Sequence, residues 1–332
     1  MNISPKALYN SLRMSFLQNP TFSVERWKVE DYRQIPLEEL FLRLQACNLV
    51  LDRHSFLAFA DEYDSPEELF DHLVADQETE EGDANIQEQS MQDQLYLLIF
   101  ELWRRLACEK QSISVICDEL DHQIFLYDQG QTTNLEALEN ALSSFHAALE
   151  ENVDQGLSRD QVFEAVSEYL ANDVQLFMID YISDLIEHQE YQYAEELLEQ
   201  FYPYMPDKKW FDLFHARLIG ATDIRKGHEL LAKIFRHECA TPDLQFNLDI
   251  LSYLASLPDF ELFRHVAIRS LGLVEDEDEL LELLHISSDI CHSLDLHEKG
   301  DALHAIYDAR KAAPRAFAKG DSDLAQFEKM LK

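Results

Sequence analysis

Glycine and proline are scarce in this 332-residue chain, at 8 and 9 residues. That is too few for an all-β sandwich, which needs a turn about every ten residues. Five cysteines (Cys47, Cys108, Cys117, Cys239 and Cys291) include no Cys-x-x-Cys pair. Without a disulfide framework, the expectation is a reducing, cytoplasmic setting in which the thiols act as small buried hydrophobes. No apolar run reaches about 18 residues, which excludes a membrane-spanning helix, and the N-terminus lacks the compact apolar stretch of a cleaved secretory signal. Positive charge is the other shortage: 27 Lys+Arg stand against 64 Asp+Glu, a formal net charge of −37. Such a chain gains no counterion-release energy from a phosphate backbone, so nucleic acid is not an expected partner.

Apolar residues make up 46% of the chain, an ordinary share for a folded protein. The acids are unevenly spread. Residues 1–53 carry seven basic and six acidic side chains, and residues 54–207 carry four basic (Arg104, Arg105, Lys110, Arg159) against 36 acidic. Residues 208–332 carry 16 basic against 22 acidic. The excess in the middle repels itself, screened over about 8 Å at physiological ionic strength. It reads as a solubilising surface and, alternatively, as a docking surface for a partner of basic character.

Helix signals recur along the chain. From Met1 to Val24 there is no acid, and Leu8, Leu12 and Phe16 repeat at four-residue spacing, the period of an amphipathic first helix. An exported bacterial effector with an uncleaved leader is the alternative this segment raises. Pro36 with Glu38 and Glu39 opens a helix through Leu44. Ser65-Pro66-Glu67-Glu68, Thr133-Asn134-Leu135-Glu136 and Ser158-Arg159-Asp160-Gln161 are capping boxes, and Asp243 caps the run Leu244, Leu248, Leu251. Residues 76–93 hold seven acids, no base and almost nothing apolar, so they read as an acidic linker or long loop. The domain plan is a helical region over 1–75, that linker, and a helical-repeat body over 94–332. Ile113–Tyr127 is the one stretch where β-branched residues favour strand, yet it reads as helix. Beyond the linker, helix-length blocks are separated by short polar or proline-bearing connections, which forces neighbouring helices antiparallel.

Ala194, Leu198, Phe201 and Pro206, preceded by Met178, Tyr181, Ile182 and Leu185, fall on the spacing of a helix pair that resembles a tetratricopeptide repeat of about 34 residues. Ala302, Ile306, Ala309 and Pro314 repeat the second-helix spacing, and Ala216, Ile219, Ala232 and Phe235 do so once a residue is removed from the turn between helices. Ile182 and Phe201 stand where the family has small residues, and Asp289 and Ser293 where it has apolar ones. The resemblance covers residues 175–315. It implies an all-α fold of antiparallel helix pairs stacked as a tetratricopeptide-like α-solenoid, with a groove that binds proteins or peptides.

The segment Leu176–Ile186 is apolar nearly all round, so it is either covered on every side or offers a docking face. The docking reading places Leu176, Ile179, Ser183 and Ile186 on a groove with Trp210, Leu213 and Arg217. No phosphate loop, Gly-x-Ser-x-Gly elbow or His-Glu-x-x-His occurs, so no catalytic residue, metal site or cofactor is assigned. Glu119-x-x-His122 and Glu282-x-x-His285 resemble the paired motifs of di-iron helical bundles and define the alternative of a metalloenzyme. With 13 His in the chain, about one such pair arises by accident. Asp76, Glu78, Glu80 and Gly82 alternate like a calcium loop, but Glu81 and Gln87 occupy the positions that need glycine and glutamate. The function expected is non-catalytic: an adaptor, scaffold or chaperone. On that reading, Ile179→Asp abolishes partner capture while urea unfolding stays cooperative; loss of the folded state identifies Ile179 as core instead.

Overall fold

The computed structural model describes residues 4–21, 23–75, 86–131, 135–154, 156–237, 242–313 and 317–331. Helix accounts for 77% of it, and no strand occurs among the described residues. The helices are α1 (Pro5–Gln18), α2 (Arg26–Val29), α3 (Leu37–Ala46), α4 (Arg53–Glu62), α5 (Pro66–Ala75), α6 (Ile86–Leu106), α7 (Ile113–Asp128), α8 (Leu135–Asp154) and α9 (Arg159–Ser167). They continue with α10 (Val174–Glu187), α11 (Tyr191–Phe201), α12 (Lys209–Thr222), α13 (Ile224–His237), α14 (Leu244–Ser256), α15 (Phe260–Leu271), α16 (Glu277–Ser293), α17 (His297–Ala312) and α18 (Ser322–Leu331). The chain forms two compact units, Met1–Met178 and Ile179–Lys332, divided within α10.

In the first unit one helix is wrapped by its neighbours. Every residue of α6 from Leu95 to Trp103 is buried, because Leu-Tyr-Leu-Leu-Ile-Phe-Glu-Leu-Trp is apolar on all faces. Its single acid, Glu101, is paired with Arg104 and Arg105. Arg105 also donates to the carbonyls of Tyr32, Arg33 and Ile35 at 2.8, 2.9 and 2.8 Å, which pins the segment before α3 onto α6. α7 is helical and pairs with α8.

The acidic segment differs from its sequence reading. Residues 76–85 lie outside the described residues, as does the start of the calcium-like pattern, but residues 86–93 are the opening turns of α6. Met91 packs on the same core as Leu95, and the Tyr96 hydroxyl donates to Glu67 of α5 at 2.8 Å. The helices on both sides share one interior, so this acidic stretch connects elements within a unit. The cap at Ser65 forms: its Oγ accepts from the Glu68 amide at 3.2 Å. Thr133 and Asn134 lie outside the described residues. Two helices were missed in the sequence, the single turn α2 and α4, although Asp52 and Ser55 cap α4 reciprocally at 2.7 and 2.9 Å.

The second unit is a stack of helix pairs. α12 lies on α13, α14 on α15 and α16 on α17, while α12 also touches α14, α14 touches α16, and α13 touches α15. The first helices α12, α14 and α16 therefore form one layer, and the second helices α13 and α15 lie against each other beside it. Only Asp223 separates α12 from α13, so the two must fold back sharply. They do so where Gly220 meets Gly227: a Cβ on Gly227 would stand 2.6 Å from the Gly220 Cα and 3.1 Å from the Ala216 carbonyl oxygen. α18 is held by Arg310, whose fully buried guanidinium binds Glu277, Asp321 and Asp323. Of the second repeat match, Pro314 lies outside the described residues, and α17 buries Gly300, Leu303, Ile306 and Arg310 while Ala309 is exposed.

Because the obstacle at Gly227 is backbone, Gly227→Ala is expected to lower the second unit's stability by about 1–3 kcal/mol in urea unfolding. Gly320→Ala, where a Cβ meets nothing within 4 Å, is expected to leave it unchanged.

Candidate functional site

The face expected from the sequence is only partly open. Leu176 is 56% exposed and Ile179 is half-buried. Ile186 and Leu213 are buried, and Leu213 is fully enclosed in the core with Ala216, Leu231 and Phe246, so it belongs to the interior and not to a groove. The physical reason is the layer packing: Trp210 meets Phe246 of α14 edge-on at 5.2 Å, which turns this side of α12 towards its neighbour. Ser183 and Arg217 do come together, with Arg217 Nη1 donating to Ser183 Oγ at 3.0 Å. Burial depresses the Arg217 pKa against the opposing pull of Glu187, and its Nε is buried without a partner.

The open side of α12 lies opposite. At about 100° per residue, His215, Leu218 and Thr222 form a stripe turned away from Trp210, Leu213 and Arg217, with Phe211 on the same side but fully buried. This stripe lines a groove of about 640 Å³ between α11, α12 and the flank of α13. Its apolar surface comes from Tyr191, Leu218, Ile219 and Leu230, backed by the buried Leu198 and Phe211, and its charged edge from Glu195, Glu199 and Asp212. Tyr191, Glu195, Leu198, Glu199 and Tyr202 recur along α11 at three- and four-residue spacing, so they share one face. No lysine or arginine lines the groove, and among the described residues neither Glu195 nor Glu199 has an ion-pair partner. Asp212 Oδ1 accepts from the Tyr202 hydroxyl at 2.9 Å, which fixes that wall. The docking face expected from the sequence, with Trp210, Leu213 and Arg217, lies on the other side of α12 from this groove.

A second polar centre lies in the first unit, on α7. Asp118 is buried with Lys6 at 2.9 Å and Arg33 at 2.6 Å. Burial alone would raise its pKa, but the two cations hold the carboxyl well below the usual range. Asp121 accepts from the amides of Ala171 and Asn172, at 2.8 and 3.0 Å, and from the Asn10 side chain at 3.3 Å. Burial raises it to about 6. These groups tie α1 and the turn after α9 to α7. The cleft beside them holds only about 50 Å³, and each carboxylate already has its donors, so the arrangement is a fastening.

Neither Glu-x-x-His pair gathers ligands. Glu119 binds Arg33 at 2.7 Å and accepts from Gln123 at 2.8 Å, while the His285 ring stacks on Tyr307 at 5.3 Å. Among the described residues no group of three or more His, Cys, Asp and Glu is placed to hold a metal ion. The four cysteines described, Cys47, Cys108, Cys117 and Cys291, are free thiols, and burial raises Cys291 to about 11.

Asp249 of α14 gives a pH signature. Burial raises its pKa from 3.8 to about 6, against a hydrogen bond from Gln245 and the charge of Arg217. A carboxyl whose folded pKa is raised stabilises the fold fully below its unfolded pKa and loses that contribution as pH rises through about 6. The second unit is therefore expected to lose roughly 1–2 kcal/mol of urea stability between pH 5 and 7 from this group, and Asp249→Asn to flatten that slope. No family model, curated protein or solved structure matches this chain, so its function is read from these two sites.

Proposed function

We propose that this chain is a non-catalytic protein–protein interaction protein, an adaptor, scaffold or chaperone of tetratricopeptide-like build, which holds a partner protein or peptide in the α11–α12 groove. The observation that carries this reading is the groove itself: about 640 Å³ in which half-buried Leu218, Ile219 and Leu230 and exposed Tyr191 lie over the buried Leu198 and Phe211. Half-buried apolar residues gathered in one concave place, and edged by polar ones, mark a binding surface more than scattered exposed leucines do. The stacked-pair layering supports the repeat character, because stacking creates extended grooves between successive helices. Free thiols and the absence of a long apolar helix among the described residues fit a cytoplasmic setting.

Leu218→Glu puts a charge into the floor, and Ala221→Arg, at an exposed lining position, fills the groove without touching the core. Affinity capture with mass spectrometry is expected to return partners on the wild-type chain that both variants lose, with circular dichroism and urea unfolding unchanged for Ala221→Arg. Retention of the same partners by both variants removes the groove from the reading.

A further inference from the structure

Resting on that reading, we infer that the occupant of the α11–α12 groove is a basic amphipathic helix of the partner, seated with its apolar face on Tyr191, Leu218, Ile219 and Leu230 and its cations against Glu195, Glu199 and Asp212. Charge complementarity gives the sign. Three carboxylates and no lysine or arginine line the groove, and among the described residues Glu195 and Glu199 have no cation of their own. A carboxylate beside an apolar floor is partly desolvated when the groove fills, so an occupant without cations would leave charges stranded, and an acidic one would be repelled.

Helical form follows from the walls. The groove is bounded by side chains of α11, α12 and α13, whose main-chain groups are bonded within their own helices. An extended peptide would find no free backbone donor or acceptor to pair with, whereas a helix satisfies its own. Dimensions agree. From Tyr191 to Tyr202 the stripe on α11 runs about 16 Å, three helical turns, enough to lie along an occupant helix of about eleven residues. Glu195 and Glu199 stand one turn apart, about 6 Å, so Lys or Arg at i and i+4 of the occupant meets both. Tyr191 and Tyr202, at the two ends of the stripe, offer ring faces to flanking cations, as Tyr202 already does to Lys208 at 4.8 Å.

The test uses the full chain and fluorescein-labelled synthetic peptides of about 14 residues. One peptide is an amphipathic helix with leucines on one face and arginines flanking them; its twin has every arginine replaced by glutamate; a third scrambles the first so that no face is apolar. Fluorescence anisotropy at low salt is expected to show the basic helix binding at least about tenfold more tightly than either control, and losing about tenfold in affinity at high salt. In the double variant Glu195→Lys/Glu199→Lys, both exposed positions, the preference is expected to reverse so that the glutamate twin binds more tightly. If basic and acidic helices bind the wild type equally, and Ala221→Arg weakens both, the groove binds peptides but the charge inference is wrong. If the scrambled peptide binds as well as the ordered one, the helical occupant is wrong. If Ala221→Arg affects no peptide and no captured partner, the groove reading falls as well.

Discussion

The contact between Gly220 and Gly227 is the constraint on which the packing of the second unit depends. α12 and α13 are separated by Asp223 alone, and they reverse direction only because their backbones meet without intervening side chains. The Tyr253 hydroxyl occupies the space beside Gly220 that a Cβ would need, 1.9 Å from where that atom would stand. So close an approach on one side leaves the outer flanks of the two helices diverging. Leu218, Ile219 and Leu230 lie on those flanks, and α11 closes the far side to make the groove. A wider crossing would spread the floor into a flat, solvated patch.

Buried charge does a different job in each unit. In the first, Asp118, Arg33, Lys6 and Glu101 sit in the interior, and each finds an opposite charge, so the cost of desolvation is offset by short, directed bonds. Their effect is to fasten α1 and the segment before α3 onto α6 and α7. In the second, Arg310 performs the same service for α18 through three carboxylates. The carboxylates of the groove are of another kind. Glu195 and Glu199 are exposed, have no partner among the described residues, and border apolar surface. In a protein of net charge −37, acidity as such says little. On the proposed reading, acids beside that apolar floor would select a basic occupant.

Much of the helix map was legible because it rests on local signals. Ser65, Ser158 and Asp243 mark helix starts through hydrogen bonds made within four residues, and the blocks from Ile113 to Leu331 follow the helical period. The strand-like run at Ile113 is helical because its apolar positions Cys117, Leu120 and Ile124 fall on one side, against α8. What could not be read was which apolar face each helix turns inward. Leu213 was expected on a groove and is core, while the half-buried Leu218 and Ile219 of the same helix line the groove. On a helix apolar over more than half its circumference, periodicity does not choose between the two sides. The acidic run at 76–93 misled for a related reason, since composition reports how little a segment can bury, and Met91 is enough to anchor a turn of helix.

By itself the sequence determined the all-helical class, the antiparallel pairing of neighbours and the concentration of acid in the middle of the chain, since each follows from spacing, turn length or composition within a few residues. Tertiary structure alone decided that α6 is wrapped, that α12 shows Leu218 and buries Leu213, and that Glu195 and Glu199 border an apolar groove. These depend on which helices lie against which, over separations at which the chain carries no local signal.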